Sequence, residues 1–76
     1  MTRPNDLTAE ARAGYDGNAN PHLYSSACWY AHSLGRYLHD TGRSPPRDVR
    51  MGRGYSVNVA DMTFKHDDAA GWSRVK

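Results

Sequence analysis

Apolar positions follow a helical period through the N-terminal half of the chain and a two-residue alternation further on. Leu7, Ala11 and Tyr15 stand at i, i+4 and i+8, and Ala9, Glu10, Arg12 and Ala13 between them are tolerated in a helix. The spacing predicts a short helix over 7–15. Gly14, Gly17 and Asn18 then tolerate positive φ, and Asn20-Pro21 biases the chain to an extended step. A longer period runs from His22 to Thr41, where Leu23, Tyr24, Ala27, Tyr30, Ala31, Leu34 and Leu38 gather within an arc of roughly 120°. Ala27, Ala31 and Gly35 are small and four apart, so the first helix is expected to fold back along that line as a hairpin. Gly42 suits the position after a helix, and Pro45-Pro46 prevents its resumption.

Arg43, Pro45, Pro46, Arg47, Arg50, Gly52, Arg53 and Gly54 give residues 42–54 the composition of a loop. Alternation follows: Tyr55, Val57 and Val59 lie on one face, and the phase shifts by one so that Met62 and Phe64 continue the apolar set. A two-residue turn at Ala60-Asp61 pairs Val59 with Met62, Val57 with Phe64 and Tyr55 with His66, which predicts a β-hairpin over 55–66. Residues 67–76 carry Trp72 and Val75 without a period and read as a loosely docked tail. The fold class expected is α+β: one small domain with a helical hairpin over 7–41, an Arg-rich loop and a β-hairpin packed on the helices.

Composition tempers this picture. Leu, Ile, Val and Phe are nine of the 76 residues, about 12%, below the roughly 20% at which disorder becomes a concern. Net charge is only +2, however, and five Tyr with two Trp supply the apolar area that the aliphatic count omits. A folded domain with a thin, aromatic core is the expected result. No apolar run is long enough for a membrane helix and the N-terminus is polar, so the chain reads as soluble and cytoplasmic. A lone Cys28 offers no internal disulfide.

Charge points to one stretch. Residues 1–38 and 56–76 each balance three basic against three acidic groups, whereas 39–55 hold four arginines against Asp40 and Asp48. Guanidinium is suited to bidentate phosphate contact and to stacking on rings. Arg43, Arg47, Arg50 and Arg53, with Tyr55 beside them, therefore form a candidate single-strand or ribosomal RNA contact. The plainer alternative pairs these arginines internally with Asp40, Asp48 or Asp67-Asp68. Trp29 falls outside the apolar arc, near Arg36 and Tyr37, a combination typical of a binding hot spot unless the C-terminal hairpin covers it.

Catalytic and metal chemistry are weakly supported. Cys28, His32 and His39 share one helical strip, but His39 lies about 10 Å beyond His32 along the axis, too far for one ion to take all three. Cys28 and His32 lack the surroundings of a nucleophile and its base, His66-Asp67-Asp68 reads as a solvated polar turn, and Gly52-Arg53-Gly54 lacks the residues of a phosphate loop. No catalytic residue, metal or cofactor is predicted, and the chain is read as a non-enzymatic binding protein.

The runs Ala11-Arg12-Ala13-Gly14-Tyr15-Asp16-Gly17, Asn20-Pro21-His22 and Leu34-Gly35-Arg36-Tyr37, spanning residues 9–43, resemble the ribosome modulation factor family and its small phage and plasmid relatives. His22 stands where that family carries an aromatic, and Arg36-Tyr37 where it carries a Gly-Trp step. The resemblance implies a two-helix hairpin that binds the small ribosomal subunit and reduces translation during dormancy, with Gly14, Tyr15, Pro21 and Gly35 as structural positions. The expected partner is thus the ribosome or RNA. The alternative is a host protein complex, inhibited by a phage-encoded, anti-CRISPR-like protein through Trp29, Arg36 and Tyr37.

Overall fold

A computed structural model describes residues 6–24, 26–54 and 56–76. Helices α1 (Thr8–Tyr15) and α2 (Ala27–Asp40) precede strands β1 (Val49–Met51), β2 (Ser56–Val59), β3 (Met62–Asp67) and β4 (Gly71–Arg74). The strands form an antiparallel meander in the order β1-β2-β3-β4, and the helical hairpin covers one face. The α+β class and its order, helices first, are those the periodicity predicts.

Both helices stop by the same device. Asn18 N–H donates to the Ala13 carbonyl and Gly17 N–H to that of Gly14, with Gly17 at φ +92°. Arg43 N–H bonds the Leu38 carbonyl and Gly42 N–H that of His39, with Gly42 at φ +75°. Each is a Schellman arrangement, whose left-handed residue glycine reaches without steric cost.

The start of α2 differs from expectation. Periodicity predicts helix from His22, but Ser26 is the N-cap: its Oγ accepts from Trp29 N–H at 3.1 Å and donates to the Leu23 carbonyl at 2.8 Å. A local cap that satisfies an orphan helix N–H outweighs a continuing apolar period. Leu23 and Tyr24, expected on the buried stripe, are instead 84% and 58% exposed.

The helices meet at their glycines. A Cβ on Gly14 would stand 1.9 Å from the His32 carbonyl oxygen, and one on Gly35 would stand 1.8 Å from that of Ala11. The expected close approach along Ala31 and Gly35 is therefore backbone on backbone, with Ala11 and Ala31 sealed beside it; Ala27 is exposed. Leu34, Leu38, Val49, Val57 and Phe64 fill the layer between helices and sheet, and Tyr15, Trp29, Tyr37 and Trp72 enclose it.

The β2–β3 register is the expected one: Val59 opposite Met62 and Val57 opposite Phe64. The predicted pairing of Tyr55 falls outside the described residues. Two strands were not expected. Residues 42–54 are not all loop, because Val49–Met51 pairs with β2, and Leu7 N–H donates to the Val49 carbonyl on the outer edge. Three residues are too few for a period to register, and the sheet supplies the hydrogen bonds that make them a strand. Residues 67–76 are likewise no loose tail. The Asp67 carboxylate accepts from Ala69 N–H and Ala70 N–H, the chain reverses, and β4 pairs with β3 through His66 opposite Trp72.

Candidate functional site

The arginine segment is pinned along its length. Tyr15 Oη donates to the Arg43 carbonyl at 2.7 Å, Pro46 is buried, and Ala60 N–H donates to the Arg47 carbonyl at 3.1 Å. Ser56 Oγ donates to the Arg53 carbonyl at 2.5 Å, and Gly52 N–H to that of Ser56. A stretch with the composition of a flexible linker is thus held by the helix end, the core and the β2–β3 turn. Order of this kind lowers the entropy to be lost when the segment meets a ligand.

Its side chains divide. Arg43 leans over the core rim, its guanidinium carbon 5.6 Å from the Phe64 ring centroid and one terminal nitrogen 4.0 Å from Met62 Sδ. Arg47 and Arg53 are exposed. Arg50 stands opposite Asn58, which stands opposite Thr63, and paired residues share a face. These three form a row on the side of the sheet away from the helices, where Thr63 Oγ1 donates to Asn58 Oδ1 at 2.8 Å. Arg43 and Arg47 border a concavity of about 660 Å3 that includes Asp61. Arg50, Asn58, Thr63 and Lys76 border another of about 620 Å3 with Asp48 and Asp61. Tyr55 lies outside the described residues.

Three of the acids proposed as internal partners are engaged elsewhere, while Asp48 borders the Arg50 concavity without an ion pair among the described residues. Asp40 meets Arg36 Nε at 3.2 Å and His39 Nδ1 at 3.6 Å. Asp67 accepts the N–H groups of Ala70 and Ala69, which hold its carboxyl below the usual 3.8. Asp68 accepts from Tyr24 Oη and lies 3.9 Å from His66 Nδ1. Among the described residues, no ion pair joins Arg43, Arg47, Arg50 or Arg53 to a carboxylate.

Compared with known proteins, the chain matches no family model, no curated protein and no solved structure. Its site must be read from its own geometry.

The second predicted group, Trp29 with Arg36 and Tyr37, does not form one surface. Trp29 is half-buried, with the rings of Tyr24, Tyr30 and His66 at 4.7, 5.2 and 5.4 Å. Coverage by the C-terminal strands is the arrangement found. Trp72 extends the cluster, 5.0 Å from His66, with its Nε1–H donating to Ser33 Oγ at 3.1 Å. Tyr37 turns to the core and meets Phe64 edge-on at 5.9 Å. Arg36 stays exposed. With Trp29, His32 and Ser33 it borders a cleft of about 440 Å3, closed on its far side by residues 17–20.

His32 is buried, and its Nε2 has no hydrogen-bond partner among the described residues. Burial, reinforced by the neighbouring His22 at 6.1 Å between ring centroids, pulls its pKa below the ordinary 6.5. Cys28 is a free, half-buried thiol. Among the described residues, no three His, Cys, Asp or Glu side chains are grouped to hold a metal ion, and no helix is long and apolar enough to cross a membrane. Sequence reasoning missed Asn58, Thr63 and Lys76 around Arg50, and Asn20 and Ser33 at the cleft. Alternation in β2 marks Asn58 as outward-facing, but only strand pairing brings Arg50 beside it.

Proposed function

We propose that this chain is a non-enzymatic, cytoplasmic RNA-binding protein that regulates translation by contacting the ribosome. Arg43, Arg47, Arg50 and Arg53 contact phosphate, Arg43 from its place at the core rim over Phe64. The observation that supports this reading is the arginine segment itself: four guanidinium groups on an ordered backbone, with no carboxylate paired to them among the described residues. A solvated charge needs no partner, but four arginines carried at fixed backbone positions present guanidinium groups to an anion with less ordering still to be done. Asn58 and Thr63 beside Arg50 add neutral polar groups for sugar or base edges.

Fluorescence anisotropy with a labelled single-stranded RNA, repeated across a salt series, tests this. A single strand contributes a slope of about −0.7 per phosphate neutralised, so four arginines give about −3, or roughly 50-fold weaker binding at 200 than at 50 mM salt. The triple variant R47A/R50A/R53A leaves Arg43 on Phe64 and is expected to flatten the slope to about −1. Binding that ignores salt, or a slope unchanged in that variant, rules the reading out. Co-sedimentation with ribosomes then distinguishes ribosomal from general RNA binding.

A second reading is a protein-binding inhibitor of a host or defence complex, phage-encoded and anti-CRISPR-like. Leu23, 84% exposed beside Tyr24 on the α1–α2 connector, favours it, since an exposed leucine next to an aromatic makes a natural anchor. Salt-insensitive association with a discrete protein complex, lost in Leu23→Ser and Trp29→Ala, is its signature.

A further inference from the structure

The cleft between the α1–α2 connector and α2 is accounted for neither by the arginine surface nor by the packing of the helices. Its volume, about 440 Å3, lies within the range of small-ligand clefts, about 300–1,000 Å3. The two arginine concavities each include an aspartate, whereas no carboxylate borders this cleft. Its groups are of three kinds: an aromatic wall from Trp29, one cation from Arg36, and neutral hydrogen-bonding groups from Asn20, His32 and Ser33.

The polar groups have hydrogen-bonding capacity to spare. Arg36 uses Nε on Asp40 in an exposed pair, and its two terminal nitrogens make no hydrogen bond among the described residues. Exposed pairs of this kind are weak, so the guanidinium is available to a stronger anion. Ser33 Oγ accepts from Trp72 Nε1–H, and its own O–H has no acceptor among the described residues. Asn20 donates once to the Trp29 carbonyl and accepts once from His22 N–H, leaving a second N–H. His32 Nε2 is buried without a partner, a state that native proteins rarely leave uncompensated. The connector is fixed by those Asn20 bonds and by Asn18 N–H on the Ala13 carbonyl, so the far wall is built.

We propose that this cleft is a nucleotide site, holding one heterocyclic base against Trp29, with base-edge groups on Asn20 and Ser33 and the phosphate on Arg36. A flat ligand with a polar edge and a single anionic group matches all three kinds of lining at once. A sugar lacks the aromatic face, and a fatty chain leaves the polar groups unmet. The nucleotide has two possible sources with the same chemistry: a free mononucleotide, or an unstacked residue of an RNA strand. The site is separate from the arginine surface and does not depend on that reading.

The test is a titration of the full chain with AMP, GMP, CMP and UMP in turn, followed by amide and indole N–H NMR shifts. Saturable shifts at the Trp29 indole and at residues 17–20 are expected, with apparent Kd raised at least about fivefold by Arg36→Ala. Asn20→Ala, at a partly exposed position, is a second variant that spares buried His32 and is also expected to weaken binding. Shifts confined to Arg47 and Arg53, equal binding of inorganic phosphate alone, or equal binding of an aromatic peptide amide would each overturn the site. A six-nucleotide RNA then separates the sources. If Arg36→Ala weakens the oligonucleotide as it does AMP, the cleft takes a residue of the strand. If mononucleotides bind there and the oligonucleotide does not shift the cleft, it takes free nucleotide. Because R47A/R50A/R53A strips the arginine surface and leaves the cleft intact, mononucleotide binding that survives it supports the cleft even where the RNA reading fails.

Discussion

Replacing Gly35 with alanine adds one methyl group where there is no room for it. The new Cβ would stand 1.8 Å from the Ala11 carbonyl oxygen, 2.8 Å from its carbon and 2.9 Å from Tyr15 N. Real Cβ contacts essentially never fall below 3.0 Å, so the helices must separate by at least about 1.2 Å. Every clashing atom is α1 backbone, so no side-chain rotation relieves the contact. A gap of that size forfeits about half or more of the dispersion contact between facing atoms, and here those belong to Ala11, Ala31 and their neighbours. Overpacking costs about 1–3 kcal/mol or more, and alanine's better helix propensity returns about 1. With only rigid backbone to yield, the cost falls at the upper end of that range, so a net loss of about 2 kcal/mol is expected from a domain whose total stability is about 4–11 kcal/mol at this length. At about 4–8 °C per kcal/mol, Tm falls by roughly 8–16 °C, measured by circular dichroism at 222 nm. Gly14→Ala meets the His32 carbonyl in the same crossing, so adding it to Gly35→Ala is expected to cost less than it does alone. A Gly35→Ala Tm within about 2 °C of wild type would show that the helices are not in backbone contact.

Three other perturbations probe separate parts of the structure. Ala60 holds φ +53° in the β2–β3 turn, so Ala60→Gly is expected to raise stability by about 1 kcal/mol in a urea melt while keeping the N–H that binds the Arg47 carbonyl. Ser26→Ala removes the hydroxyl that caps α2 and is expected to cost about 1 kcal/mol, with amide exchange fastest at Trp29, whose N–H loses its acceptor. His32 has a folded pKa below 6.5, so as pH falls past 6.5 the unfolded chain takes up a proton that the folded chain refuses. Stability therefore declines below that pH and levels off once folded His32 is also protonated; urea midpoints across pH 8 to 5 should show the decline, and His32→Gln should lessen it.

The arginine segment is tied to the fold. Tyr15, Pro46 and the Ala60 amide hold its backbone, so loss of the hairpin turn or of the helix end loosens the arginine segment as well as the fold. Gly42 works toward the same end, since the Schellman turn after α2 delivers Arg43 onto Phe64.

Local chemistry was legible wherever a residue's neighbours in sequence are also its neighbours in space. Gly42 as a helix stop and the β2–β3 register both follow from spacings shorter than a dozen residues, and the helical hairpin from a four-residue repeat of small side chains within α2. The start of α2 was misplaced because apolar period and capping chemistry conflict between His22 and Ser26, and the cap prevails. The candidate hot spot was only half legible. A helical wheel gives Trp29, Arg36 and Tyr37 their directions but not what waits there, and Phe64 claims Tyr37 while His66 covers Trp29.

The sequence alone determined two helices, a hairpin, an α+β order and the concentration of surplus positive charge in one arginine-bearing stretch. These depend on backbone preference and side-chain period, which act over a few residues. Tertiary structure decided that Val49–Met51 and Gly71–Arg74 become strands, that Arg50 joins Asn58 and Thr63, and that Trp29, His32 and Arg36 border a cleft with residues 17–20. The edge strands exist because β2 and β3 present unpaired N–H and C=O groups along their outer sides. A three- or four-residue segment carries too little preference of its own to declare a strand until such a partner is in place.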